Sequence, residues 1–154
     1  MGYTHFDKIS ANAFAIGAHG TEVELPSMAG ADRAIKVAKV ALGVADTGGG
    51  VLAWANPETT SILIQRVIFD VTTKSTGACK LDVGTTATSA TTSSDNLMDG
   101  IDVATAGVFD NITNKGESGK SLQKLASGKW VTASKASGSA AGLAGFAYIE
   151  YVVI

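Results

Sequence analysis

The chain has 154 residues, a net charge of −2 and 45% hydrophobic residues, but only 17% charged residues. This length suits one domain whose core needs no disulfide or metal for stability. The charge balance leaves no basic patch for nucleic acid or an anionic membrane, and the single Cys79 excludes an intrachain disulfide and a multi-thiolate zinc site. No apolar run reaches the roughly 18 residues of a transmembrane helix, and the first residues do not resemble a signal peptide.

Residues 1–33 carry large apolar side chains that are scattered among small residues and follow no regular period for long. We predict an extended N-terminal arm here, with one strand at 21–25. The alternative is a disordered leader. Spaced apolar residues favour an arm that docks on a neighbour. The predicted interface residues of the arm are Phe6, Phe14, Ile16, Val23 and Leu25.

From residue 34 onward strand signals dominate, and we predict one β-sandwich domain over 34–154. Residues 34–45 place Ile35 and Val37 on one side of a strand, opposite Lys36. Residues 51–55 form the next predicted strand, which ends at an Asn-Pro turn.

The longest predicted strand, 60–73, is apolar on both faces. At the strand period of two, one face consists of Leu63, Val67, Phe69 and Val71. The other face carries three isoleucines beside Arg66 and Asp70. A strand with two apolar faces is typical of a central strand with a second buried surface, such as an oligomer interface. The predicted interface residues on this second face are Ile62, Ile64 and Ile68.

Three further strands are predicted at 78–84, 129–136 and 145–154. In the first of them, Cys79 alternates inward with Leu81 and Val83, which predicts a buried thiol rather than a nucleophile. In the last, the inward residues are Ala147, Ile149, Tyr151 and Val153. No long amphipathic helix is indicated. The predicted fold class is therefore all-β, an antiparallel β-sandwich or jelly roll.

The stretch "NKGESGKS" at 114–121 resembles a phosphate-binding loop, Gly-x-x-x-x-Gly-Lys-Ser/Thr. Asn114 stands where the first glycine belongs. The preceding 107–113 is too polar for a buried parallel strand, and Gly128 interrupts the chain before a crossover helix could form. We therefore predict a glycine-rich loop between strands and no nucleotide cofactor.

Other chemical groups also have simple structural interpretations. Asp95, Asp99 and Asp102 could offer oxygen ligands to Ca²⁺, but Asp-Asn and Asp-Gly pairs are ordinary turn formers, so we favour turns and predict no metal site. His5 and His19, the two histidines, lie in the arm, where no second group is evident to hold them for acid–base work. Since no nucleophile–base pair is evident, we predict that the protein is not an enzyme.

Several motifs follow one another in a specific order. An aromatic strand ends in Asn-Pro, a long aliphatic strand ends in "DVTT", and "STGACKLDVG", "SSDNLMDGIDV" and "GVFDN" follow. With the closing run at 124–151, this pattern resembles small structural proteins of tailed-phage heads over about two-thirds of the chain. The resemblance implies a capsid decoration or cement protein, or a head-fibre base, built as a β-sandwich and often trimeric. It implies no catalytic residues, and it does not extend to the arm.

The resemblance implies a virion protein, made in the host cytoplasm, that binds the major capsid protein on the capsid exterior and stabilises the shell. We expect self-association, as a homotrimer. The alternative is a carbohydrate-binding module on a head fibre. Its stacking platform would consist of Trp54, Trp130, Tyr148 and Tyr151. Core or interface packing of these aromatic residues is favoured, because the polar residues that sugars need are not clustered near them.

Overall fold

The computed structural model describes the backbone of 14–15 and 22–23 and the whole of 34–43, 50–89 and 94–154. The chain separates into two compact units, Met1–Arg33 and Ala34–Ile154. In the first unit β1 (Phe14–Ala15) pairs antiparallel with β2 (Glu22–Val23), which falls within the predicted strand at 21–25. The side chains predicted to form an interface in this unit lie outside the described residues. They are Phe6, Phe14, Ile16, Val23 and Leu25.

The described residues of the second unit form nine strands. They are β3 (Lys36–Ala41), β4 (Leu52–Ala55), β5 (Ile62–Thr73), β6 (Cys79–Thr86), β7 (Met98–Asp102), β8 (Gly107–Asp110), β9 (Gln123–Leu125), β10 (Trp130–Gly138) and β11 (Ala144–Val153). One sheet has the order β3-β11-β5-β8, with β9 also paired to β5, and the other has the order β4-β10-β6-β7. Every pairing is antiparallel. The two sheets pack as a sandwich, and the chain passes between them in a jelly-roll-like order, which confirms the predicted fold class.

The core lies between the two sheets and is built from the inward residues of each strand. Phe69 of β5, Leu81 of β6, Val131 of β10 and Ile149 of β11 are fully buried there. The alternation predicted at 78–84 and in the last strand is confirmed, and Cys79 is buried as expected. Aliphatic side chains at a period of two thus supply one continuous apolar layer for each sheet.

The predicted faces of the longest strand are wrong at its beginning. Glu150 pairs with Arg66 and Tyr151 pairs with Ile64, so Gln65 is an extra residue with no partner on β11. Such a β-bulge shifts the alternation by one residue. Ile62 and Ile64 therefore share the inward face with Val67, and all three are fully buried.

This shift changes the assignment of interface residues. Ile62 and Ile64 belong to the core of their own sandwich and offer no surface to a partner. Leu63, which the pattern placed inward, is only half-buried. Of the three isoleucines, only Ile68 remains on the side of the sheet that faces away from the core, where it is half-buried.

Candidate interaction surface

The side of the five-stranded sheet that faces away from the core is here called the outer face. Strand register arranges its residues in rows that run across β3, β11, β5 and β8. The outer face consists of Val37, Glu150 and Arg66 in one row, Lys39, Tyr148, Ile68 and Asp110 in the next, and Ala41, Phe146, Asp70 and Val108 in the third. Because the sheet is continuous, these side chains form one surface on a rigid support.

Large apolar side chains stand exposed on this outer face. Val37 at one edge is 59% exposed, Val108 at the opposite edge is 65% exposed, and Phe146 between them is 37% exposed. Ile35, just before β3, is 60% exposed. Charged residues separate them, as Asp70 does between Phe146 and Val108, so the face offers several separate apolar contacts to another macromolecule.

Lys39 covers part of this surface rather than extending into solvent. Its Nζ atom lies 3.9 Å from the ring centroid of Phe146 and 5.6 Å from that of Tyr148. A lysine ammonium over an aromatic ring gains a cation–π attraction, while its methylene stem covers apolar area. The two aromatic residues and Lys39 therefore form one ordered patch that combines apolar surface with a positive charge.

An ion pair orders the other end of the outer face. Arg66 donates through its Nη2 atom to Asp110 Oδ2 at 2.6 Å, and the Asp110 side chain is only 7% exposed. Asp110 Oδ1 accepts the backbone N–H groups of Ile112 and Thr113 at 2.9 and 2.7 Å. The carboxylate thus joins strand β5 to the turn that follows β8.

The pKa values of this pair follow from these contacts. Burial by itself would raise the pKa of Asp110, but the hydrogen bonds from Arg66, Thr113 and Ile112 outweigh it and hold that pKa well below its usual range. The hydrogen bond and the attraction to Asp110 raise the pKa of Arg66. Both groups are therefore charged at neutral pH, and the pair is a fixed feature of the surface.

Next to this pair, the fully buried Asn111 positions the glycine-rich loop. Its Oδ1 atom accepts the N–H of Val67 at 2.7 Å, and its Nδ2 atom donates to the carbonyl oxygens of Lys120 and Ser121 at 3.0 and 3.1 Å. The loop 114–121 connects β8 to β9, so the prediction of a loop between strands is confirmed.

Four backbone amides of this loop donate within the protein, those of Asn114, Ser118, Gly119 and Lys120. Ser118 donates its N–H to Asp99 Oδ2 at 3.2 Å, and Lys120 donates its N–H to the carbonyl oxygen of Asn96 at 3.1 Å. A phosphate-binding loop instead points such amides at its ligand. The contacts of the loop thus give it a structural role, which is to close the end of the sandwich near β7.

Two of the aspartates that could have bound calcium accept backbone hydrogen bonds. Asp102 Oδ1 accepts the N–H of Ala104 at 3.0 Å, a turn contact as predicted, whereas Asp99 Oδ2 accepts the N–H of Ser118 in the distant glycine-rich loop. Across the described ranges, no three His, Cys, Asp or Glu side chains are grouped so that they could hold a metal ion. His5 and His19 lie outside the described residues.

The four aromatic residues that might have formed a sugar platform occupy three different places. Trp54 faces the core, with its ring centroid 5.4 Å from that of Tyr151. Trp130 lies on β10, the strand paired with β4, which carries Trp54. Trp130 pairs with Ala55, whereas Val131 pairs with Trp54. Tyr148 lies on the outer face of the other sheet. The four residues therefore do not share one surface.

Tyr151 and Trp54 belong to a cluster that secures β3 to the sandwich. Glu58 Oε1 accepts from Lys36 Nζ at 2.8 Å and from the Tyr151 hydroxyl at 3.2 Å. The hydrogen bond from Lys36 lowers the pKa of Glu58. Burial, followed by the hydrogen bond to Glu58, raises the pKa of Tyr151. These contacts explain why Lys36 points toward the sandwich and not outward.

The described residues also border a shallow depression of about 290 Å³. Its lining contains threonine hydroxyls and two lysines, but no carboxylate or histidine that could act as an acid–base partner. The lining residues are Thr85, Thr86, Ala87, Lys124, Leu125, Ala126 and Lys129. The outer face is therefore the better candidate for a functional site.

Comparison with known proteins found no similarity: no family model matches the chain, and neither a characterised protein nor a solved structure matches it significantly. The fold is thus established as a two-sheet antiparallel β-sandwich, without a family assignment. In the part of the chain that the structure describes, no helix is long and apolar enough to cross a membrane.

Proposed function

We propose that the protein is a structural component of a tailed-phage virion that binds the capsid exterior and stabilises it. The resemblance of 51–103 and 124–151 to phage head proteins supports the class of protein. The observation that carries the proposal is the outer face, where Val37, Val108 and Phe146 expose apolar side chains on a rigid antiparallel sheet. The partner in this proposal is the major capsid protein.

The proposed mechanism is linkage between binding and assembly. A protein that binds the assembled shell, and not its dissociated subunits, shifts the equilibrium toward the shell. At a free concentration one hundred times Kd, each occupied site stabilises the shell by about 2.7 kcal/mol. Because a capsid presents many equivalent sites, modest affinity at each of them is sufficient for a large total effect.

The outer face has the composition that such binding needs. Its apolar residues supply area that is removed from water, at roughly 25 cal/mol for each Å² buried. Five of its eleven residues are charged, but Arg66 is already paired with Asp110, so the desolvation of that pair is partly compensated before a partner arrives. Lys39, over its aromatic ring, remains available for a carboxylate of the partner.

A binding experiment with matched variants tests the proposal. Capsids of the phage that encodes the chain, prepared without it, are mixed with the pure protein and sedimented. We expect wild-type protein to cosediment and Phe146→Ser to lose roughly tenfold or more in affinity. Leu122→Ser is the control, because Leu122 is also exposed, at 57%, but lies outside the outer face.

Each outcome separates one hypothesis from another. Wild-type protein that never cosediments with capsids contradicts the proposed function. Equal loss in both variants contradicts the assignment of the outer face. Micromolar binding of the isolated protein to a glycan would instead favour the carbohydrate module, which the separated positions of Trp54, Trp130 and Tyr148 do not support. The predicted homotrimer remains a prediction, which sedimentation of the free protein tests.

A further inference from the structure

Among the described strands, β3 is the edge of the five-stranded sheet. The N–H of Leu42 donates to the carbonyl oxygen of Gly145 at 3.0 Å, which fixes the hydrogen-bonding phase of β3 and β11. In an antiparallel pair, bonded and non-bonded positions alternate. Val37, Lys39 and Ala41 therefore turn their N–H and C=O groups away from β11.

These outward groups have no hydrogen-bond partner in the described parts of the chain. An edge strand with open groups is a template for another strand. Proteins commonly protect such an edge with lysines that project past it, and β3 contains two lysines. Neither of them protects the edge, because Lys36 is bound by Glu58 and Lys39 lies over Phe146.

We propose that a second copy of this chain pairs with β3 edge to edge, antiparallel, about a twofold axis at Ala38. In this register Val37 of one copy lies opposite Lys39 of the partner subunit, and Lys39 lies opposite Val37 of the partner subunit. Ile35 and Ala41 pair in the same way. The two five-stranded sheets then form one continuous sheet, and the open groups of Val37, Lys39 and Ala41 on both copies are satisfied.

Side-chain size and charge favour this register over the one centred on Lys39. The two Ala38 residues meet at the axis as a non-hydrogen-bonded pair, where Cα atoms approach to about 4.5 Å, and a small side chain suits that spacing. Shifting the axis to Lys39 would oppose two lysines, and like charges directly across a strand pair are destabilising. The twofold register at Ala38 has no like charges opposite each other.

Charge and apolar surface are also complementary across the axis. In the row that contains Val37 and Glu150, Lys39 of the partner subunit takes the next position. It lies two strands from Glu150, about 10 Å, so the two opposite charges attract each other across the pair while Lys39 remains over Phe146. Ile35 and Val37, which are 60% and 59% exposed, gain cross-strand neighbours on the extended face. The occupant of the edge is thus a second copy of β3.

Disulfide trapping tests the register. Cysteines at a non-hydrogen-bonded antiparallel pair have Cβ separations that suit a disulfide. We expect Ala38→Cys to form, on mild oxidation, a covalent species of twice the 15.6 kDa chain mass. Cys79 is buried and does not compete. Val108→Cys is the control, because Val108 lies at the opposite edge of the same sheet and should remain uncrosslinked.

Proline substitution tests whether the backbone of β3 makes the contact. The N–H of Val37 is not bonded to β11, so Val37→Pro should leave a folded chain, since proline is tolerated on an edge strand. We expect its dimer to dissociate roughly tenfold or more readily in sedimentation, because an interfacial hydrogen bond is lost from each copy. Ala38→Pro should instead unfold the edge, because that N–H bonds to β11.

Four results would overturn the proposal: a wild-type monomer at tens of micromolar, an oligomer that Val37→Pro does not weaken, the absence of a crosslink in Ala38→Cys, or the homotrimer predicted from the sequence, because a closed threefold trimer contains no twofold pair. If Val37→Pro fails to fold, the trapping experiment alone decides. This inference does not depend on the proposed function, because both experiments use the free protein. Failure to bind capsids would leave the crosslink unchanged.

Discussion

The outer faces of the two sheets differ although both belong to one sandwich. On the five-stranded sheet, Val37 and Phe146 are exposed. On the four-stranded sheet, Gly84 and Thr132 are cross-strand neighbours on the side away from the core, yet Thr132 is fully buried. Ser94 lies directly over Gly84, where a Cβ atom would overlap its carbonyl oxygen. The chain therefore covers the four-stranded sheet around Gly84 and Thr132, whereas the described residues leave Val37 and Phe146 exposed on the other sheet.

Hydrogen bonds hold the covering segment, residues 94–97, against the four-stranded sheet. Asn96 Oδ1 accepts the N–H of Thr85 at 2.9 Å, and Asn96 Nδ2 donates to the Thr85 hydroxyl at 2.8 Å. The N–H of Leu97 donates to the carbonyl oxygen of Val83 at 3.0 Å. A face that the chain itself covers is not accessible to a partner. The apolar residues that the described chain leaves uncovered are the ones that a partner could reach.

The largest change in stability is expected from a substitution that pushes the covering segment away from the four-stranded sheet. Gly84→Val places a branched side chain where the Ser94 backbone lies, so we expect the free energy of unfolding to fall by about 3 kcal/mol. Urea denaturation measures it. Gly107→Ala is the matched control, because a Cβ there meets nothing within 4 Å. A loss below about 0.5 kcal/mol in Gly84→Val would show that Ser94 is not fixed against the sheet.

The next effect concerns the ion pair at the edge of the open face. Asp110→Ala removes the acceptor of Arg66 and of two backbone amides, and we expect a loss of about 2–3 kcal/mol at pH 7. Because the folded pKa of Asp110 is depressed, its stabilisation is present above the unfolded value of about 4 and declines as the pH falls below it.

Stability measured from pH 6 down to pH 2 should therefore fall less steeply in Asp110→Ala than in wild type. Asp70→Asn is the control, since Asp70 lies on the same face but has no ion pair within the described ranges. An unchanged pH slope in Asp110→Ala would contradict the importance of the Arg66 contact.

A smaller effect of opposite sign is expected beneath the cover. The Thr132 hydroxyl oxygen is buried without a hydrogen-bond partner among the residues that the structure describes. Valine has nearly the same shape and removes that unsatisfied group. We expect Thr132→Val to raise the free energy of unfolding by about 1 kcal/mol, as measured by thermal or urea denaturation. Destabilisation would mean that the hydroxyl has a partner in the native protein.

The smallest effect is expected on the open face. Val108 is 65% exposed, so Val108→Thr should change the free energy of unfolding by less than about 0.5 kcal/mol. The same denaturation series measures it beside Gly84→Val. A loss comparable to that of a core residue would show that Val108 is covered in the native protein, and the difference between the two faces would disappear.

The sandwich itself could be predicted from sequence because β6 and β11 alternate cleanly between apolar and polar residues. The bulge could not, because nothing in the run around Gln65 signals an extra residue, and a single shift moved Ile62 and Ile64 from a predicted surface to the core. The short strands β7, β8 and β9 were missed because edge strands of three to five residues contain too few apolar residues to show a period.

Only part of the outer face could be predicted from the sequence. Alternation placed Ile35 and Val37 on one side of their strand, but which side meets the core depends on pairing with β11, which is distant in sequence. Phe146 and Val108 become neighbours of β5 only through register. Of the predicted interface residues that the structure describes, Ile68 alone lies on the outer face.

The pairing of β3 with β11 also has a consequence for biosynthesis. Ala41 pairs with Phe146, about a hundred residues later in the chain. At a translation rate of roughly 5–20 residues per second, β3 leaves the ribosome about 5–20 s before its partner is complete. During that interval both of its edges are open, so nascent chains on one polysome are exposed to premature strand pairing. Chaperones that shield short apolar segments should therefore increase the yield of this protein when it is expressed rapidly.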